Sequence, residues 1–199
     1  MITLKDRAQF YNKAFFPKYS GRAWLQASDR WLWGVWMIGN NYQSKAGYYG
    51  EYPPGYLERI MSMFPEMYWW EILHLFSGSI EQGPERGETF DINPDLNPTY
   101  AGDAADLSNI VSKRYHLILA DPPYSEEDAR RYGTCLVNRN KVVEQCVKVL
   151  KPGGFLVWLD QVLPMYRKKE LELVGTIGVI RSTNHRVRMV FIWQKKEDE

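Results

Sequence analysis

Apolar residues recur along this chain at strand spacing and at helix spacing, which predicts alternating strands and helices beyond residue 53. Five short stretches predict strands, at Glu71–Phe76, Glu88–Ile92, Thr99–Ala101, Tyr115–Ala120 and Phe155–Leu159. Helices are predicted at 54–64, Ala104–Lys113, Asn138–Leu150 and Gln161–Glu170. Two further apolar stretches predict an antiparallel pair, Leu173–Ile180 and Arg186–Gln194.

This order of elements predicts a Rossmann-like α/β fold with a mostly parallel seven-stranded sheet and a C-terminal antiparallel hairpin. Only residues 77–87 separate the first two strands, and only 92–98 separate the next two. A parallel crossover usually needs a dozen residues or more, so the first crossover helices are predicted to be truncated. We expect a single domain over residues 1–199, in which an aromatic-rich N-terminal extension (1–46) precedes the core (47–199). The extension shows no pattern that assigns its elements.

The composition limits the classes of protein to which the chain can belong. The net charge is +1, so a polyanion would have to meet a local basic patch. Two cysteines and three scattered histidines predict neither a disulfide framework nor a metal site. No apolar run is long enough to span a bilayer, and the N-terminal residues lack the apolar core of a signal peptide. We therefore expect a cytoplasmic protein without a membrane partner or a bound metal.

The sequence Asp121-Pro122-Pro123-Tyr124 (DPPY) follows the predicted strand Tyr115–Ala120 directly. Ligands of open α/β sheets bind at the carboxyl ends of the strands, where this tetrapeptide would lie. A carboxylate and an aromatic ring held there can accept hydrogen bonds from a planar amine and stack on its ring. The alternative is a rigid turn, because two prolines fix the backbone and remove two donors.

A second motif, Leu73-His74-Leu75-Phe76-Ser77-Gly78-Ser79, precedes DPPY in the chain. The two motifs together resemble those of class I S-adenosylmethionine (SAM) dependent methyltransferases that act on adenine N6, cytosine N4 or guanine N2. The resemblance covers roughly residues 45–194. His74 stands where that family usually has an acid, and Ser79 replaces the family's second glycine.

The resemblance implies SAM as the cofactor and assigns residues to it. Phe76, Ser77 and Gly78 would lie beneath the methionine part of SAM, with Asp121 beside them. It further assigns Asp91 to the ribose, Asp103 and Ala104 to the adenine, and Tyr52 and Pro53 to the methionine end.

Each of these assignments has an alternative in local structure. Asp91 could cap a turn, and Asp103 could be the N-cap of the helix that begins at Ala104. The segment that holds Tyr52 and Pro53 could be a tyrosine-rich packing loop.

The resemblance also implies a catalytic role for Asp121, Pro122, Pro123 and Tyr124. The Asp121 carboxylate and the Pro122 carbonyl would accept the two N–H bonds of an exocyclic amine. Tyr124 would stack on the base, and the two prolines would keep the acceptors in place. DNA adenine N6 is the first choice of substrate. The alternatives are RNA (guanine N2 or adenine N6 of ribosomal RNA), a small molecule, or an inactive fold that binds nucleic acid or a partner protein.

Nucleic acid is the expected partner, with DNA favoured over RNA. The candidate phosphate contacts are Arg181, Asn184 and Arg186, because neutral donors adjoin these basic residues in one predicted hairpin. A chain of this length leaves little room for a separate recognition domain. A homodimer or a specificity partner is therefore a further expectation.

Overall fold

One nine-stranded sheet organises the residues that the computed structural model describes, which are 2–19, 24–39, 52–80, 87–131, 133–182 and 186–197. The seven predicted strands are confirmed, with bounds β3 Ile72–Leu75, β4 Glu88–Asp91, β5 Tyr100–Ala101, β6 Tyr115–Ala120, β7 Leu150–Asp160, β8 Leu171–Arg181 and β9 Val187–Lys195. The N-terminal extension adds helix α1 and two strands, with bounds α1 Leu4–Tyr19, β1 Leu25–Ala27 and β2 Leu32–Ile38. The strand order is β1-β2-β8-β9-β7-β6-β3-β4-β5.

The seven predicted strands, β3 to β9, combine parallel and antiparallel pairing, as predicted. Strands β3, β4, β5, β6 and β7 pair in parallel, whereas β9 is antiparallel to both β7 and β8. The chain fills the sheet outward from β3 to β5 and then returns to the other side of β3 with β6. The order therefore reverses between β3 and β6, which is where ligands bind in sheets of this type.

The remaining helices have the bounds α2 Tyr56–Met63, α3 Leu107–Ile110, α4 Glu126–Arg131 and α5 Arg139–Val149. The predicted helix Ala104–Lys113 is shorter than expected, because a 3-10 turn (Ala104–Asp106) precedes the single turn of α3. The link between β4 and β5 has only the 3-10 turn Pro94–Leu96, as predicted for a truncated crossover. Among the described residues, none of the helices has the length and apolar character needed to cross a membrane.

The predicted helix Gln161–Glu170 is wrong, because these residues form bends and turns. Pro164 stands in the middle of the segment, where it can neither donate a helical hydrogen bond nor avoid a clash with the preceding turn. Val162 and Met165 are exposed, so the apolar residues of this segment do not bury a common helical face.

Helices cover the two faces of the sheet in separate hydrophobic clusters. On one face, α1 and α2 pack over β2, β8 and β9, with Tyr11, Trp36 and Ile60 fully buried. On the other face, α3 and α5 pack over β3, β6 and β7, with Cys146 and Trp158 fully buried. The sheet is thus fixed from both sides, and its loops are presented at the carboxyl ends of the parallel strands.

Candidate active site

The DPPY loop and the Phe76–Gly78 loop start side by side at the point where the strand order reverses. Leu75 is the register partner of Ala120 in the parallel pair β3–β6, so Phe76 and Asp121 leave the sheet as neighbours. The two motifs found in the sequence therefore lie in one place, although 42 positions separate Gly78 from Ala120.

Asp121 is partly exposed and lies against an aromatic ring and a cation. The Tyr124 hydroxyl donates a hydrogen bond to Asp121 Oδ1, and the guanidinium of Arg188, on β9, lies 4.2 Å from the centroid of the Tyr124 ring. One face of Tyr124 is thus in contact with Arg188. Pro122 and Pro123 are buried beneath this arrangement.

Burial raises the pKa of the Asp121 carboxyl to about 7. The Tyr124 hydrogen bond and the positive charge of Arg188 act in the opposite direction, and the negative charge of Asp160 adds to the rise. Asp121 is therefore more easily protonated than an ordinary carboxyl, and in its ionised form it has acceptor capacity beyond the Tyr124 hydrogen bond.

Two tyrosines from the segment before β3 stand near this carboxyl. Tyr52 stacks on Tyr56 with ring centroids 5.3 Å apart, and its hydroxyl lies 3.4 Å from both the Leu119 carbonyl and His74 Nδ1. Burial, with a contribution from Asp121, holds the pKa of both tyrosines well above the usual value. They are therefore neutral walls of the site. Pro53 is buried beside Tyr52.

The Phe76–Gly78 loop turns sharply away from the sheet. Phe76 and Gly78 both have left-handed backbones, with φ of 57° and 56°. A left-handed phenylalanine is uncommon and is found where the surrounding structure imposes it, often at functional sites. The Ser77 amide bonds the Phe90 carbonyl at 3.3 Å, whereas its buried hydroxyl has no hydrogen-bond partner. An unpartnered buried hydroxyl next to a bare glycine backbone is a feature suited to a polar ligand.

Asp91, at the end of β4, holds this loop. Its Oδ2 accepts from the Gly78 amide at 2.9 Å, and its Oδ1 accepts from the Asn93 amide at 2.9 Å. Asp91 therefore does cap a local turn. Each carboxylate oxygen can accept more than one hydrogen bond, so the side chain keeps capacity for further donors.

Asp103 is an N-cap in the structure, which was the alternative to its cofactor role. It is exposed, and its Oδ1 accepts from the Ala105 amide at 2.8 Å. Ala104 is buried and packs in the cluster beneath α5. The structure does not bring Asp103 into hydrogen-bond contact with the Phe76–Gly78 loop, and its assignment to the adenine stays a prediction.

Two of the candidate phosphate contacts, Arg181 and Arg186, lie at the same end of the sheet as the DPPY loop. Strand β8 runs in the same direction as β7, and Asp160 and Gly178 both pair with Met189 of β9. Arg181 therefore lies three residues beyond the level of Asp160, at the same end of the sheet. The Arg181 amide bonds the Arg186 carbonyl at 3.2 Å, which closes the hairpin. Asn184 lies outside the described residues.

Sequence reasoning missed a buried ion pair at this site, Arg139–Asp160. Arg139 Nε lies 2.6 Å from Asp160 Oδ2, and Arg139 Nη2 donates to the Tyr124 carbonyl at 3.0 Å. The available signal was an aspartate at the end of a buried apolar strand, as at Asp121. The described residues form no cluster of three or more metal-ligating side chains.

Comparison with known proteins gives a result only at the level of structure. No protein-family model matches the chain, and no curated protein sequence matches it. TrmN from Thermus thermophilus has a similar structure, with 16% identity and a TM-score of 0.53, over 72% of this chain and 49% of TrmN. This chain thus spans about half the length of TrmN.

Two further solved structures are more distant. They are the N-methyltransferase NodS from Bradyrhizobium japonicum WM9 (15% identity, TM-score 0.44, 63% of this chain and 85% of NodS) and an rRNA methylase from Streptococcus thermophilus (10% identity, TM-score 0.42, 66% of this chain and 91% of the methylase). The likeness to TrmN establishes the Rossmann-like α/β fold of this chain.

Proposed function

We propose that the protein transfers a methyl group from SAM to an exocyclic amine of a nucleic-acid base, with DNA adenine N6 as the first choice. The observation that carries this proposal is the meeting of the DPPY loop and the Phe76–Gly78 loop at the reversal of the strand order. One loop offers acceptors for an amine, and the other offers a bare backbone for a cofactor.

The residues present fit SAM. The unpartnered Ser77 hydroxyl, the left-handed Gly78 backbone and the remaining acceptor capacity of Asp91 would hold its methionine part and its ribose. Tyr52 and Pro53 would border the methionine end. SAM supplies an electrophilic methyl group when bound.

The chain's own contribution is to activate a poor nucleophile. The lone pair of an exocyclic amine is delocalised into the ring, which makes the nitrogen planar. Asp121 and the Pro122 carbonyl would accept its two N–H bonds, drawing the nitrogen toward a tetrahedral geometry that localises the lone pair. These acceptors are held in place before the substrate arrives, so no reorganisation is needed during the reaction. The face of Tyr124 away from Arg188 would stack on the base.

A base in duplex DNA would have to leave the helix to reach Asp121. Arg181, Asn184 and Arg186 would contact the neighbouring phosphates, because β8 ends with Arg181 at the same end of the sheet. A homodimer or a separate specificity partner would extend this small contact surface.

RNA or a small molecule is the second candidate substrate class. The net charge of +1 favours it, because a protein that binds long duplex DNA usually gains affinity from many cationic contacts.

Methyl transfer from labelled SAM to duplex DNA, single-stranded RNA and free nucleotides would separate these candidates. We expect label in the exocyclic amine of adenine in DNA. If label appears only in RNA or only in nucleotides, the substrate is RNA or a small molecule and not DNA. Calorimetric titration that detects no SAM binding would reject the enzyme and leave a fold that binds nucleic acid or a partner.

A further inference from the structure

Two adjacent prolines restrict how the loop after β6 can be held. Proline has no backbone N–H, so Pro122 and Pro123 can be fixed only by packing or through their carbonyl groups. The Pro123 carbonyl accepts a hydrogen bond from Arg139 Nη2 at 3.4 Å, and the Tyr124 carbonyl accepts one from the same nitrogen at 3.0 Å. The loop thus receives its polar anchor from a side chain of another element.

Arg139 is itself oriented by Asp160. Its Nε donates to Asp160 Oδ2 at 2.6 Å and its Nη2 to Asp160 Oδ1 at 3.3 Å, so both carboxylate oxygens contact one guanidinium. A guanidinium is planar and rigid. The contacts with Asp160 therefore also fix the direction in which Nη2 faces the loop carbonyls.

The side chain of Asp160 is held firmly by its surroundings. It is fully buried at the end of β7 and accepts two further hydrogen bonds, from Trp158 Nε1 at 3.1 Å and from the Gln161 amide at 2.6 Å. Strand β7 is paired on both sides, with β6 and with β9. A carboxylate that is buried and bonded to this extent has little freedom to move.

We propose, on the basis of methyl transfer at Asp121, that Arg139 is the positioning residue of the DPPY loop. It holds the Pro123 and Tyr124 carbonyls against Asp160, and thereby aims the Asp121 carboxylate and the Pro122 carbonyl at the substrate amine. Arg139 does not contact the substrate. It acts through the loop, with Asp160 as its support.

The test compares Arg139→Lys with Arg167→Lys. Lysine keeps the charge beside Asp160, so no buried carboxylate is left unpaired, but it lacks the fork that reaches both partners. Arg167 also forms an ion pair with α5, through Glu144 at 3.2 Å, but is more than half exposed and away from the loop, which makes it the matched control.

We expect Arg139→Lys to lower kcat by about 10²-fold, the scale of a catalytic group misplaced by an ångström. SAM affinity should stay within about twofold of wild type, because Arg139 does not contact the Phe76–Gly78 loop. The ¹⁵N order parameter of the Tyr124 amide should fall from a rigid value of about 0.85 toward about 0.6, while that of Leu119 in β6 stays rigid. Arg167→Lys should change none of these quantities.

A second variant, Arg139→Met with Asp160→Asn, removes both charges together and so avoids an unpaired buried ion. It should stay folded and show the same loss of kcat and of loop order. An unchanged Tyr124 order parameter in both variants would overturn the proposal. A wild-type protein that transfers no methyl group would instead refute the proposed function, and the order parameters would still decide whether Arg139 anchors the loop.

Discussion

The Asp91 carboxylate accepts a hydrogen bond from the Gly78 amide at 2.9 Å, so the end of one strand holds the loop that follows its neighbour. The same carboxylate is the proposed acceptor for the ribose hydroxyls. One side chain therefore shapes the Phe76–Gly78 loop and keeps acceptor capacity for the proposed cofactor.

Replacing Asp91 with alanine should weaken SAM binding by about 1–3 kcal/mol, the scale for a polar group left without its charged acceptor. Calorimetric titration measures the change directly. Asp95→Ala is the control, since Asp95 is an exposed carboxylate in the turn that follows β4. Equal SAM affinity in wild type and Asp91→Ala would remove the ribose assignment.

Replacing Asp121 with alanine should abolish methyl transfer while SAM affinity stays largely unchanged. The loss should exceed about 10²-fold, because a preorganised acceptor at the reacting nitrogen is removed. A labelled-methyl assay and a SAM titration on the same sample separate the two effects. Glu126→Gln, which alters an exposed carboxylate five residues further on, should keep full activity. Turnover at the wild-type rate in Asp121→Ala would refute the mechanism.

The rate of methyl transfer should rise with pH and level off above about 7, since only the ionised Asp121 carboxyl accepts two hydrogen bonds freely and burial raises its pKa to about 7. A pH profile of kcat measures the inflection. The positive charge of Arg188 lowers this pKa, so Arg188→Met should move the inflection to higher pH. A flat profile across the range around neutral pH would show that the rate does not depend on the ionisation of Asp121.

Replacing Gly78 with alanine should lower both stability and SAM affinity, because its φ of 56° is strained for any residue with a Cβ. The strain alone costs about 1–2 kcal/mol. Gly133→Ala is the matched control, with φ of 69° and open space around the added Cβ. It should lose comparable stability in thermal unfolding but bind SAM normally. If the two variants bind SAM equally well, the backbone of Gly78 does not meet the cofactor.

The N-terminal helix should contribute strongly to the free energy of unfolding through Arg7. This buried guanidinium lies 4.4 Å and 4.5 Å from the ring centroids of Phe64 and Phe155, and it donates to the Met63 carbonyl at 2.9 Å. Arg7→Met should cost about 2–4 kcal/mol in chemical denaturation, because the rings and the carbonyl lose a buried partner.

The control for Arg7 is Lys5→Met on the same helix, which removes an exposed ion pair with Asp29 from the turn between β1 and β2. It should leave the denaturation midpoint nearly unchanged. A midpoint for Arg7→Met that matches the control would show that α1 packs on the sheet without help from the guanidinium.

The core of the fold and its central motif could be predicted because their signals are local. Tyr115–Ala120 is apolar except for His116, as expected for a strand that is largely buried on both faces, and DPPY follows it without a gap. The same reasoning located Asp91 at the end of a strand. For Asp103 it left the N-cap open as an alternative, which is the role that the structure shows.

The N-terminal strands could not be predicted because the apolar residues of β2 do not alternate with polar ones. In β2, Trp36 is buried whereas Trp33, Val35 and Met37 are exposed, so apolar residues occupy both faces and the period of two is lost.

The ion pair Arg139–Asp160 was missed for another reason. The partners are 21 residues apart in the sequence, and only the packing of α5 against β7 brings them together.

The pairing of β2 with β8 has a consequence for any shortened version of this protein. From Leu32 opposite Gly175 to Ile38 opposite Arg181, β2 satisfies the outer hydrogen-bonding groups of β8, and β1 in turn shields β2. A chain trimmed to begin after residue 39 would leave a long apolar strand with a bare edge, which recruits other molecules and aggregates. The N-terminal extension thus covers the edge of β8 that would otherwise be open to pairing with another chain.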